Sequence, residues 1–119
     1  SLEVVMADAA DRLDAAAERS RTIARRLEAP LLSLMAGASP SALVETTALK
    51  KSPRISAQGV TVSVLASDTA QASLDVMVAA GLQLEASVPA ANVVVGEIPL
   101  SRLADLAMLP ETRRIEAAR

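Results

Sequence analysis

The hydrophobic positions of this chain keep two different periods, and the change between them divides it. Over residues 2–28, Leu2, Met6, Ala9, Leu13, Ala16, Ser20, Ile23 and Leu27 follow alternating steps of four and three, with no Pro or Gly inside. That is a heptad seam, and it predicts one long helix. Acidic Glu3, Asp8, Asp11, Asp14 and Glu18 fill its first two thirds, while Arg19, Arg21, Arg25 and Arg26 crowd its end, an order that suits the helix dipole. Pro30 is expected to end it. Leu31, Leu32, Leu34 and Met35 form a short apolar patch, and Gly37 to Pro40 break the pattern. A short helix over 41–49 with Ser41 as N-cap and a polar connector from Lys50 to Arg54 complete an N-terminal extension, residues 1–54.

From Val60 the period drops to two. Val60, Val62, Val64 and Ala66 alternate with Thr61 and Ser63, and only Leu65 interrupts the polar side. Asp68 and Gln71 have capping-box spacing before a helix with Ala70, Leu74, Met77 and Val78 on one stripe, closed by Gly81. A second strand runs through Leu82, Leu84, Ala86 and Val88, and Pro89 to Asn92 turn the chain. The unbroken run Val93, Val94, Val95, continuing to Ile98, suits a central strand covered on both sides. Ser101 is placed to cap a second helix with Leu103, Leu106, Ala107 and Leu109 inward. Pro110 stops it, and residues 112–117 form a last strand anchored by Ile115.

The order is β-α-β-β-α-β, so the expected fold is α+β: a ferredoxin-like β-α-β-β-α-β sandwich over residues 55–119 with a helical extension before it. Right-handed crossovers are expected to make strands one and three parallel neighbours in the centre, with strands two and four as edges. Glu85, Arg113, Arg114 and Glu116 would then blunt edge-to-edge pairing. Both helices are expected on one face. The other face, lined by Thr61, Ser63, Leu65, Gln83, Glu85, Val94 and Ile98, is left as a docking surface unless the helix of residues 2–28 covers it. That helix has two open readings: a dimerisation seam, or a helix laid on its own or a neighbouring domain.

Composition narrows the chemistry. Half the residues are apolar but none is Phe, Tyr or Trp, so the core is aliphatic and nothing is available to stack on a base or sugar. The chain has no Cys and no His, which removes thiolate chemistry, disulfides, His-based triads and the usual zinc sites. Gly81 and Gly96 form no phosphate-cradling pattern. A net charge of −2 argues against nucleic acid, and no apolar run approaches the length of a membrane span. Residues 1–54 carry 8 basic and 7 acidic side chains against 4 and 7 in residues 55–119, so the folding unit is the acidic part. Catalytic, metal and cofactor residues are therefore expected to be none, and a binder is expected rather than an enzyme.

One stretch carries a resemblance. Ile98-Pro99-Leu100, Leu103, Leu106, Leu109-Pro110 and Arg113-Arg114-Ile115-Glu116 resemble the end of the N-terminal propeptide domains of bacterial subtilisin-like serine proteases. The strand from Val60 and the Leu74 to Leu84 helix–Gly–strand join fit the same pattern, while Thr112 stands where that family usually has Val. The resemblance implies an intramolecular chaperone and temporary inhibitor. Its sheet face would dock on a subtilisin-like protease domain, in cis or in trans, and its tail, Glu116, Ala117, Ala118 and Arg119, would lie in the active-site cleft by β-augmentation. It also implies a secreted or cell-envelope setting, and a cleavage site further on if the parent chain continues past Arg119. The alternative is a ligand-sensing or oligomerising module of the same fold with no protease partner.

Overall fold

A computed structural model describes residues 1–37 and 54–118. The expected helix over 41–49, the connector at Lys50 and Lys51, and Arg119 lie outside the described residues. Helices α1 (Leu2–Arg26) and α2 (Ala29–Met35) precede a five-stranded sheet. Its strands are β1 (Ile55–Ser56), β2 (Gly59–Ala66), β3 (Gln83–Val88), β4 (Val93–Ile98) and β5 (Thr112–Ala117). Helix α3 (Gln71–Ala79) lies between β2 and β3, and α4 (Leu103–Met108) lies between β4 and β5. The class is α+β, and every strand pairing is antiparallel.

β2 is the hub. One edge pairs with β4 from Val60↔Ile98 to Leu65↔Val93. The other takes β5 from Val62↔Ala117 to Ala66↔Thr112 and, beyond it, β1 through Ile55↔Val60. β3 pairs with the far side of β4, giving the order β3-β4-β2-β5. Strands one and three of the expected pattern, β2 and β4, are central neighbours, but they run antiparallel and not parallel. The reason is topological. The crossover through α3 makes β2 and β3 parallel with a gap of one strand between them. β4 returns from β3 through a tight turn, and so fills that gap in the opposite direction. The turn is a 3-10 turn at Pro89–Ala91, with Asn92 left-handed at φ 53°.

The core is a single aliphatic layer between the sheet and the helices. Val60, Val62, Val64, Val94, Ile98 and Ile115 project from the strands and are fully buried with Met77, Leu82, Leu103 and Leu106. Each contributes about 1.5–3 kcal/mol relative to exposure. Gly96 allows β3 and β4 to approach, because a Cβ there would lie 2.5 Å from the Gln83 carbonyl oxygen. Gly59, at φ 146°, has no room for one either, since a Cβ would run into the Ile98 carbonyl. In α3 the inward positions are Ser73, Leu74 and Met77, with Ala80 buried just past its end, and Ala70 and Val78 of the expected stripe are exposed. Asp68 accepts from the Ala70 N–H (2.9 Å) and the Ser73 hydroxyl (2.7 Å), which pull its carboxyl below the ordinary range, the Ser73 bond most. The expected box partner Gln71 donates instead to Asp75. Ser101 lies in a 3-10 turn, Leu100–Arg102, that leads into α4 and caps nothing.

The N-terminal extension does not stay outside this core. α1 stops at Leu27, which turns extended at φ −98° and ψ 135°, well before Pro30. Pro30 instead sits in the first turn of α2, where its missing N–H costs nothing. Leu27, Leu31 and Leu34 join the buried cluster from the near side of residue 54. Leu27 bridges to Ile115 in parallel, and the Glu28 N–H donates to the Ile115 carbonyl (2.9 Å) while Glu28 Oε1 accepts from the Ala117 N–H (3.1 Å). The outer edge of β5, expected to be protected by charge, is thus covered by chain. α1 packs here on the helix side of the sheet and not over the opposite face. Arg26 locks the junction, donating to the carbonyls of Ala107 (2.8 Å) and Leu109 (2.9 Å) at the end of α4.

Arg26 therefore joins two elements through the Ala107 carbonyl and through the Leu109 carbonyl, which also accepts from the Thr112 N–H at 3.0 Å. Arg26→Ala is expected to lower unfolding free energy by about 1.5–3 kcal/mol, the range for hydrogen bonds to charged groups. Urea denaturation checks this, and Arg25→Ala, an exposed neighbour, should shift stability by less than about 0.5 kcal/mol.

Candidate binding surface

Antiparallel register places directly opposed residues on the same face, so the pairing alone sorts the sheet into a core side and an outer side. Val60, Val62 and Val64 point to the helices, and so do their partners Ile98, Gly96 and Val94. Thr61, Ser63 and Leu65 point away, with partners Glu97, Val95 and Val93. Of the expected outer-face residues, Ser63, Leu65 and Gln83 lie there within reach of solvent, and Thr61 lies there but is buried. Val94 and Ile98 do not; both are wholly buried in the core. The correction is one residue of register in β4. Val93, Val94 and Val95 are interchangeable to a periodicity argument, and a slip by one exchanges the two faces of the strand. The residues that replace them on the outer side are Val93, Val95 and Glu97.

Three ranks of side chains cross the outer face. Val88, Val93, Leu65 and Arg114 form one; Ala86, Val95, Ser63 and Glu116 form the next; Gln83, Glu97 and Thr61 form the third. The first two ranks share a contiguous apolar corner, Val88, Val93, Leu65, Val95 and Ala86. Leu65 and Val88 stand about two fifths and half exposed (41% and 47%), and Val93 and Val95 are half-buried. A polar rim surrounds this corner. Arg114 pairs with Glu116 at 3.2 Å. Arg54, whose carbonyl accepts from the Thr61 N–H, reaches Glu85 at 3.5 Å and so crosses β2 and β4 on the outer side. Ser56 donates to Glu97 at 2.9 Å. Glu85 keeps the outward parity of Gln83 and lies in an irregularity between Leu84 and Ala86, after which Ala86 also pairs on the outer side, opposite Val95.

The tail residues are placed differently from the expectation. Glu116 and Ala117 belong to β5, and the Ala118 N–H donates to the Thr61 carbonyl at 3.0 Å. Ala117 is buried. These three residues are part of the sheet of this domain, and Arg119 lies outside the described residues. β3 leaves its outer edge without a strand partner among the described residues. At one end of it a pocket of about 240 Å³ is lined by Gln58, Val78, Leu82, Gln83, Glu97 and Pro99.

The described residues hold no group of three or more Asp and Glu placed to bind a metal ion, and no helix among them is long and apolar enough to cross a membrane. Comparison with protein-family models, with characterised proteins and with solved structures gives no match.

The face assignment is checked by a pair of adjacent substitutions. Val94→Asp buries a carboxylate in the core and is expected to cost about 3 kcal/mol or more, while Val95→Asp should cost less than about 1 kcal/mol. Urea midpoints of the two variants measure the difference.

Proposed function

We propose that the domain is a non-catalytic, prodomain-like binding module of ferredoxin-like architecture that docks on, assists the folding of and temporarily inhibits a subtilisin-like serine protease domain. The strand order β3-β4-β2-β5, with α3 and α4 on one side, supports the architecture. The observation that carries the binding role is the outer sheet face: an apolar corner at Leu65, Val93 and Val88 inside a rim of ion pairs. Such a corner gains from burial against another apolar surface, while the rim fixes orientation and rejects mismatched partners. The identity of the partner rests on the resemblance of Ile98-Pro99-Leu100 through Glu116 to propeptide domains.

With Glu116 to Ala118 committed to pairing with β2, the segment that enters a protease cleft would begin at Arg119. β5 would then act as the anchor that aims it. A cleft-binding strand attached to a rigid sheet loses less entropy on binding than a free tail.

The experiment is inhibition of the cognate subtilisin-like protease by the separately added chain, followed through initial rates on a small amide substrate. Concentration-dependent inhibition is expected, and Leu65→Glu should raise the inhibition constant by about tenfold or more, since 1.4 kcal/mol corresponds to a factor of ten. Absence of inhibition, or equal inhibition by Leu65→Glu and the parent chain, contradicts the proposal.

A further inference from the structure

Residues 2–21 of α1 extend from the domain with every side chain exposed, including Leu2 at 74% and Leu13 at 72%. The turn that joins the domain uses Thr22, Arg26 and Leu27, and Arg19 reaches Asp105 at 3.6 Å. At 100° per residue, Thr22, Arg26 and Arg19 centre about a third of a turn away from the heptad stripe. The stripe from Leu2 to Ser20 is therefore turned to one side of the domain and exposed, and only its last members, Ile23 and Leu27, enter the domain's core. It carries no charged residue between Leu2 and Ser20.

We propose that this stripe pairs with the same stripe of a second copy of the chain, with the two helices antiparallel. Side-chain size is the first argument. Antiparallel pairing about the Ala9 to Leu13 step sets Leu2 against the partner's Ser20, Met6 against the partner's Ala16, and Ala9 against the partner's Leu13. Every layer joins one long side chain to one small one, and the opposed surfaces interdigitate. Parallel pairing sets Leu2, Met6 and Leu13 each against itself and leaves Ala9 and Ala16 facing gaps. Charge is the second argument. Residues 1–18 hold five acidic side chains and one basic, while residues 19–28 hold four basic and one acidic. Antiparallel pairing in this register brings the acidic start of one helix, at Glu3, beside the Arg19 to Arg21 stretch of the other, while a parallel pair would set Glu3 beside Glu3 and Arg21 beside Arg21. Glu3 and Arg21 lie on the same flank, five turns apart, so each Glu3 meets the partner's Arg21. Residues 2–20 span about 28 Å, enough for a continuous seam. The seam uses a different surface from the outer sheet face and leaves that face open.

Sedimentation equilibrium of the whole chain up to about 100 µM tests the association. Twice the monomer mass of 12.3 kDa is expected. Leu13→Glu places a carboxylate in both central layers and should return the mass to that of the monomer, with the domain's thermal transition unchanged because Leu13 is 72% exposed and lies outside the core cluster. The absence of native Cys makes orientation measurable. Mixed Met6→Cys and Ala16→Cys chains should oxidise to the heterodisulfide. A monomeric parent chain at about 100 µM, a dimer indifferent to Leu13→Glu, or preferential Met6→Cys homodisulfide formation overturns the proposal.

Discussion

Everything in this domain depends on the register between β2 and β4. Val64 opposite Val94 puts both residues into the core, and the same pairing puts Leu65, Val93 and Val95 on the outer face. A shift of one residue would send Val94 and Ile98 to solvent and bring Glu97 against Met77 and Leu106, exchanging several buried aliphatic side chains for a buried carboxylate. β2 also pairs with β5 and β1 on its other edge, so an error at β4 would propagate through the sheet. Gly96, which lets β3 approach, and Gly59, closely backed by Ile98, leave little freedom for an alternative pairing.

Given that register, the chain has to build its core from small parts. With no aromatic side chain available, the buried volume is supplied by Val, Leu, Ile and Met, and the sheet and its two crossover helices do not close the cluster alone. Leu27, Leu31 and Leu34 complete it. The extension thus begins as an exposed arm through residue 21 and continues, from Thr22 to Leu34, as a structural part of the domain. The change falls where Arg26 satisfies the end of α4 and Glu28 satisfies the edge of β5. That junction holds the arm on the helix side, away from the outer sheet face.

How much of this was legible in the sequence follows from what each pattern encodes. Period and punctuation encode element identity, so Gly81, Pro89 and Pro110 marked their boundaries, and Ile115 and the Val60 series were readable as buried. Three consecutive valines encode burial without parity, which is why Val94 and Val93 could not be assigned to faces without the pairing. Strand direction is not legible in the same way, because crossover handedness constrains β2 and β3 and says nothing of β4 until the turn at Pro89–Ala91 is counted. The covering of β5 by Leu27 and Glu28 left no signal, since both residues fit an uninterrupted helix by periodicity. The heptad stripe of α1 was legible, but a stripe identifies an apolar face and not what it meets. Glu116 and Ala117 read equally well as strand or tail, and only the hydrogen bonds to β2 and Glu28 decide.

The functional reading inherits this logic. A surface argued to bind is the face left over when β2 and β4 have chosen their register, and its apolar corner exists only if Val93 and Val95 point outward together. The most direct measurement is therefore of the register itself. In a three-dimensional NOE experiment on the whole chain, backbone cross-peaks are expected to link Ser63 to Val95 and Leu65 to Val93, with the antiparallel pattern throughout. Cross-peaks linking Ser63 to Val94 instead, or a parallel pattern between these strands, would contradict that register.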